Sequence, residues 1–141
     1  METPKIILVD DHTIFRQGIK NLINLENMGK VVGEAADGDE FIQLLSTHKP
    51  DLVLMDIDMP GLNGIQITEK ALQIMPDLKI VAFTLFDKEE YLYDMIEIGA
   101  MGFILKSAGI NELEKAIELG LKGEKYFSFN SSVNNMNNFG R

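Results

Sequence analysis

Short runs of consecutive apolar residues alternate along the chain with longer stretches in which apolar positions recur every three or four residues. Ile6-Ile7-Leu8-Val9 is the first continuous run, the pattern of a strand buried on both faces. From Thr13 to Leu25 the residues Ile14, Phe15, Gly18, Ile19, Leu22 and Ile23 keep helical spacing. Lys30 to Ala35 is short and rich in valine, and Asp37-Gly38 punctuates before a helix over Asp39 to His48, where Phe41, Leu44 and Leu45 share a face. Leu52-Val53-Leu54-Met55 is a second buried run, followed by turn chemistry at Pro60-Gly61-Leu62-Asn63-Gly64. Ile67, Ala71, Leu72 and Met75 predict the next helix, which Pro76-Asp77 stops. Ile80-Val81-Ala82-Phe83 is a third run. Asp87 to Ile98 reads as a helix with Leu92, Met95 and Ile96 inward and Gly99 past its end. Phe103-Ile104-Leu105 is a short last strand, and Leu113, Ala116, Ile117, Gly120 and Leu121 form a final helical stripe.

Strands joined by helices predict a parallel sheet with right-handed crossovers, covered on both faces. For five such units the expected fold is α/β: a flavodoxin-like (βα)5 doubly wound sheet of strand order 2-1-3-4-5. The 141 residues suffice for one domain with a core. That domain is expected over 1–123, and 124–141, rich in asparagine and serine, reads as a polar tail or the start of a linker. Phe127 and Phe129 are the apolar residues there that could dock back on the domain.

Composition narrows the chemistry. Without cysteine there are no disulfides, thiolate metal sites or cysteine nucleophiles. A net charge of −9 disfavours direct contact with nucleic acid phosphates, although it also serves solubility alone. No apolar run approaches the ~20 residues of a membrane span, and the N-terminus lacks the apolar stretch of a signal peptide, so a cytoplasmic location is expected.

A doubly wound sheet binds ligands beyond the carboxyl ends of its strands, at the switch point between strands 1 and 3. Asp10 and Asp11 directly follow strand 1, and Asp56 directly follows strand 3. Carboxylates gathered there repel one another unless a cation offsets them. An oxygen donor set favours a hard ion, Mg²⁺ or Ca²⁺, and a carboxylate beside such an ion can attack phosphorus. Capping of the first helix is the plainer role for Asp10 and Asp11 taken singly. Strand 4 ends in Thr84, a hydroxyl donor, and strand 5 in Lys106, an ammonium. Both would face a transferred phosphoryl group from the same sheet edge.

These residues carry a resemblance. Asp10-Asp11, the run Asp56-Ile57-Asp58-Met59-Pro60-Gly61-Leu62-Asn63-Gly64, Thr84, and Gly99-Ala100-Met101-Gly102-Phe103-Ile104-Leu105-Lys106 are similar to the receiver domains of two-component response regulators, over about residues 5 to 123. Asp10-Asp11-His12 and Lys106-Ser107-Ala108 resemble the NarL/LuxR branch, whose members usually carry a DNA-binding effector domain after the receiver. The resemblance implies that Asp56 is phosphorylated by a sensor histidine kinase or a small phosphodonor. It implies that Mg²⁺ is held by Asp11 and Asp56 directly, by the Asp58 backbone carbonyl, and by Asp10 through a water. Thr84 and Lys106 would bind the phosphoryl oxygens, and Phe103 would be the switch aromatic. Asp58 and the bulky Leu85, a departure from the common pattern of a small residue there, are expected to tune phosphate lifetime. The output would be a C-terminal transcriptional effector outside this chain, with DNA contacted only through it and no membrane partner. Phosphorylation-dependent homodimers through the first and last helices, or through the fourth and last, are both compatible. Beyond its own phosphorylation and dephosphorylation no enzyme activity is expected.

Other readings compete. Asp56-Ile57-Asp58 superficially resembles the nucleophile motif of haloacid-dehalogenase-type phosphatases, but there it follows the first strand and a cap domain is usual. A stand-alone receiver and a pseudo-receiver scaffold that is never phosphorylated are further alternatives. His12 and His48 read as capping or solvated residues. Tyr91, Tyr93 and Met95 are candidates for a partner surface, with Tyr93 the most exposed of them.

Overall fold

The computed structural model describes residues 3–85 and 88–128. Its elements run β1 (Lys5–Val9), α1 (Thr13–Leu25), β2 (Lys30–Ala35), α2 (Gly38–Thr47), β3 (Leu52–Met55), α3 (Gly64–Ile74), β4 (Ile80–Thr84), α4 (Glu89–Ile98), β5 (Gly102–Leu105), α5 (Ile110–Leu121) and β6 (Tyr126–Phe127), with a single 3₁₀ turn at Lys106–Ala108. All ladders are parallel and the order is β2-β1-β3-β4-β5-β6. The flavodoxin-like expectation holds, with the chain reversing direction across the sheet between β1 and β3.

Alternation along the strands sorts the core into two layers, because successive side chains point to opposite faces. Ile7, Val9, Val53, Met55, Ile80, Ala82, Phe103 and Leu105 share one layer with Phe41, Ile67, Leu92 and Met95 of α2, α3 and α4. Ile6, Leu8, Leu52, Leu54, Val81, Phe83 and Ile104 share the other with Ile23 of α1 and Leu113 and Ile117 of α5. Strands covered on both sides must be apolar at every position, which is why these runs are continuous rather than alternating.

Helix ends follow local chemistry. Asn63 and Gln66 form a reciprocal capping box at the start of α3. Asp37 caps α2 by accepting from the Glu40 backbone N–H at 2.9 Å. Gly99 ends α4 at φ +98°, where other residues are strained.

The sixth strand departs from the expectation of five. Tyr126 N–H donates to Met101 O at 3.0 Å and Ser128 N–H to Phe103 O at 2.8 Å, so the chain after α5 completes the open edge of β5. A two-residue strand has too little periodicity to be read in advance, and its stability comes from the edge it satisfies. Phe127 packs against the core layer of Phe103, as expected of a docking aromatic, while Phe129 and the asparagine run lie outside the described residues.

Candidate functional site

Parallel strands place their carboxyl ends on one edge, and the residues following β1, β3 and β5 converge there. Asp10 N–H donates to Ala35 O and Asp56 N–H to Val9 O, both at 2.9 Å, so the two aspartates are held by the last rungs of the ladders. Asp10 and Asp56 are buried, and Asp11 is half-buried. The segment after Asp56 is fixed from below: a Cβ on Gly64 would lie 2.1 Å from Asp56 O, so the start of α3 approaches closely only because position 64 is glycine. Gly64 N–H also donates to Ile57 O at 2.8 Å.

Lys106 reaches into this pocket with its side chain only 2% exposed. Its Nζ lies 2.6 Å from Asp10 Oδ2 and 3.5 Å from Asp56 Oδ2. His12 is exposed, as expected, and its ring also lies within reach of the acidic group. Its Nδ1 is 3.2 Å from Asp10 Oδ1, 3.6 Å from Asp11 Oδ1 and 3.9 Å from Asp56 Oδ2. The plainer capping role of the aspartates is realised only locally. Asp10 Oδ1 accepts from the His12 backbone N–H at 2.8 Å, while α1 starts without a side-chain cap.

Burial pushes the Asp56 carboxyl up to about pKa 6; the Lys106 ammonium opposes this, Asp10 adds to it, the Asp58 backbone N–H bonded to the carboxylate opposes it, and Asp11 adds again. Charge is thus disfavoured at Asp56 in the protein alone. Asp11 Oδ1 and Asp56 Oδ2 are buried and, among the described residues, receive no hydrogen bond. Ligand atoms of Asp10, Asp11, His12 and Asp56 lie within 4.8 Å of one another. Orphaned carboxylate oxygens converging on one point fit a divalent cation with oxygen ligands.

Thr84 is fully buried at the end of β4 and pairs with Leu105, the neighbour of Lys106. Phe103, also fully buried, lies on the adjacent strand opposite Ala82, two residues before Thr84 and on the same sheet face. Leu85 is 63% exposed beside Thr84, and Asp58 is exposed beyond Asp56. Tyr93 is the exposed aromatic of α4, as expected.

Sequence reasoning missed two contributors. Arg16, one turn into α1, donates from a terminal guanidinium nitrogen to the Asp10 backbone carbonyl. Phe15 lies under the Lys106 ammonium, 4.4 Å from ring centroid to Nζ. Both carry the helical spacing of α1, but nothing in that spacing says which strand end the helix overhangs.

Comparison with known proteins agrees with this geometry. The sequence profile described as response regulator receiver domain matches residues 6–118. The oxygen regulatory protein NreC of Staphylococcus aureus is 40% identical over 136 residues, covering 96% of this chain and 63% of NreC. The chain therefore spans somewhat under two thirds of the curated relatives it matches. A LuxR-family two-component response regulator from Aurantimonas sp. SI85-9A1 superimposes with TM-score 0.85 at 38% identity, covering 89% of each chain. The isolated receiver domain of RcsB from Salmonella enterica serovar Typhimurium, solved with the phosphomimetic BeF₃⁻, superimposes with TM-score 0.85 at 26% identity, covering 96% of this chain and 99% of that one.

Proposed function

Since the chain belongs to the family of response regulator receiver domains, in its NarL/LuxR branch, we propose that Asp56 is the residue whose phosphorylation switches it. The observation that carries this is Asp56 itself: a buried carboxylate at the sheet's switch point, one oxygen of which receives no hydrogen bond among the described residues and lies 3.5 Å from the Lys106 ammonium. An Asp56 oxygen attacks the phosphorus of a kinase phosphohistidine or of an acyl phosphate. The bond from phosphorus to the donor breaks, and the donor leaves with the electron pair.

Asp11 and Asp56 would hold Mg²⁺ directly, Asp10 through a water, and the Asp58 backbone carbonyl would complete the protein ligands. Bound there, Mg²⁺ offsets the clustered carboxylates and draws charge from the phosphoryl oxygens. Lys106 turns from its carboxylate partners to a phosphoryl oxygen, and the Thr84 hydroxyl donates to another. Phosphorylation adds about −1.5 to −2 charge. Movement of Thr84 is then transmitted through Phe103, diagonal to it on the same sheet face, to the surface of α4, β5 and α5. A sensor histidine kinase is the expected donor, and the output is a C-terminal transcriptional effector that alone contacts DNA, with homodimers favoured by phosphorylation. The domain acts inside the cytoplasm and turns over only its own phosphoryl group. Leu85 and Asp58 set the lifetime of the acyl phosphate, Leu85 by shielding it from water.

Intact-mass spectrometry after incubation with acetyl phosphate tests the acceptor. One added phosphoryl group is expected in the presence of Mg²⁺, and none without Mg²⁺ or in Asp56→Asn. No adduct on the wild type, with BeF₃⁻ also failing to bind, would point instead to a pseudo-receiver. In the same assay Leu85→Ala should lose its phosphoryl group faster than wild type, and equal decay removes Leu85 from the account.

A further inference from the structure

The surroundings of Lys106 raise a physical problem. Its side chain is only 2% exposed, which removes the ammonium from water, yet it must exchange partners when a phosphoryl group arrives. The carboxylates of Asp10 and Asp56 neutralise it at 2.6 and 3.5 Å. A third neighbour is not charged at all. The face of Phe15 lies 4.4 Å from Nζ, inside the range in which a ring quadrupole attracts a cation. That ring is braced by Phe83, with centroids 5.5 Å apart and planes inclined at 49°. Phe83 is buried in β4 immediately before Thr84, while Phe15 belongs to α1. Phe15, Phe83, Asp10 and Asp56 line one small cavity.

We propose that Phe15 is a positioning residue for phosphoryl acceptance: its ring face seats the Lys106 ammonium beside Asp56 without taking up its hydrogen bonds. This rests on the reading of Asp56 as acceptor. An aromatic face attracts a cation without demanding a directed lone pair. Lys106 can therefore rotate its donors from the carboxylates to a phosphoryl oxygen while the attraction that keeps it at the site persists. A carboxylate or hydroxyl in the same position would compete with the phosphoryl oxygens for those donors. An aliphatic side chain would leave the ammonium desolvated on that side with nothing in return. Phe83 holds the ring against the strand that delivers Thr84, so the two groups expected to meet the phosphoryl oxygens share one support.

The test uses Phe15→Leu, which keeps an apolar side chain but removes the π face, and Phe15→Tyr, which restores the face. NMR of protein labelled at the lysine ε-carbons, with Lys106→Arg identifying the resonance, reads the seat directly. In the wild type the Lys106 ε-methylene protons should lie upfield of the other lysines, shielded by the ring. They should move to the ordinary lysine position in Phe15→Leu and return upfield in Phe15→Tyr. The initial rate of phosphorylation by acetyl phosphate with Mg²⁺ should fall roughly 10- to 30-fold in Phe15→Leu, the size expected for losing a largely desolvated cation–π contact, and recover in Phe15→Tyr. A resonance unmoved in Phe15→Leu overturns the proposal. So does a Phe15→Leu rate equal to wild type, or a Phe15→Tyr that recovers the resonance but not the rate. If the wild type accepts no phosphoryl group, it is the Asp56 reading that fails, and the resonance alone decides whether Phe15 seats Lys106.

Discussion

Two charged clusters sit on neighbouring strands of the sheet and use the same kinds of residue to opposite effect. At the ends of β1 and β3, Asp10 and Asp56 share the Lys106 ammonium with Asp11 beside them, and burial pushes Asp56 up to about pKa 6. On β2, Glu34 faces two cations, Arg16 Nε at 3.0 Å and Lys20 Nζ at 3.2 Å. Burial would raise the Glu34 pKa too, but the hydrogen bonds and charges of Arg16 and Lys20 prevail and hold it below the ordinary carboxylate value. Glu34 has more positive charge around it than it needs, and the Asp56 pocket has less. The balanced cluster ties α1 to β2. The unbalanced one is held together by the fold against its own repulsion, which leaves it ready for a cation and a phosphoryl group. Arg16 touches both, bonding Glu34 with one nitrogen and the Asp10 backbone carbonyl with another.

The contrast can be broken from either side. The largest effect should come from supplying the missing cation. Mg²⁺ at about a hundred times its Kd should raise the urea unfolding free energy of the wild type by about 3 kcal/mol. Asp11→Asn should blunt that response and Glu34→Gln leave it unchanged, and equal responses in both variants would erase the distinction.

Removing the disfavoured charge should come next. The Asp56 pKa is raised in the fold, so the folded state holds that proton more tightly than the unfolded chain. The cost of the bare carboxylate is fully present above about pH 6 and vanishes as pH falls through the ordinary value of 3.8. In metal-free buffer at pH 7.5, Asp56→Asn should therefore be more stable than wild type by up to about 3 kcal/mol. The gain should shrink as the buffer is acidified toward pH 4. A gain that grows on acidification would reverse the assigned cause.

Glu34 should give the smallest effect with the opposite sign. Its lowered pKa contributes stability that is present above the unfolded value of 4.5 and is lost as pH falls through the folded one. Glu34→Gln should cost about 0.5–1 kcal/mol at neutral pH, because its partners are part-exposed. Denaturant melts of this variant at neutral and acid pH should converge as the wild type loses its ion pairs.

Much of the site was legible in the sequence. Continuous apolar runs named the strands, and a parallel sheet puts all their carboxyl ends on one edge, so Asp10, Asp11, Asp56, Thr84 and Lys106 had to meet there. The closing of the sheet by Tyr126 and Phe127 was not legible, since edge pairing leaves no periodic mark in two residues. Nor was the approach of the exposed His12 ring to Asp10, since its position before α1 fits capping equally well.

The sequence by itself determined the order of elements, the two-layer burial and the identity of the groups at the strand ends. These follow from residue periodicity and chain direction, which are local properties. Only the tertiary structure decided how α1 lies across the end of the sheet, bringing Phe15 beneath Lys106 and Arg16 against Asp10. It also decided how deeply Asp56 is buried, and with that the sign of its pKa shift, because desolvation depends on everything packed around a charge and on no single stretch of chain.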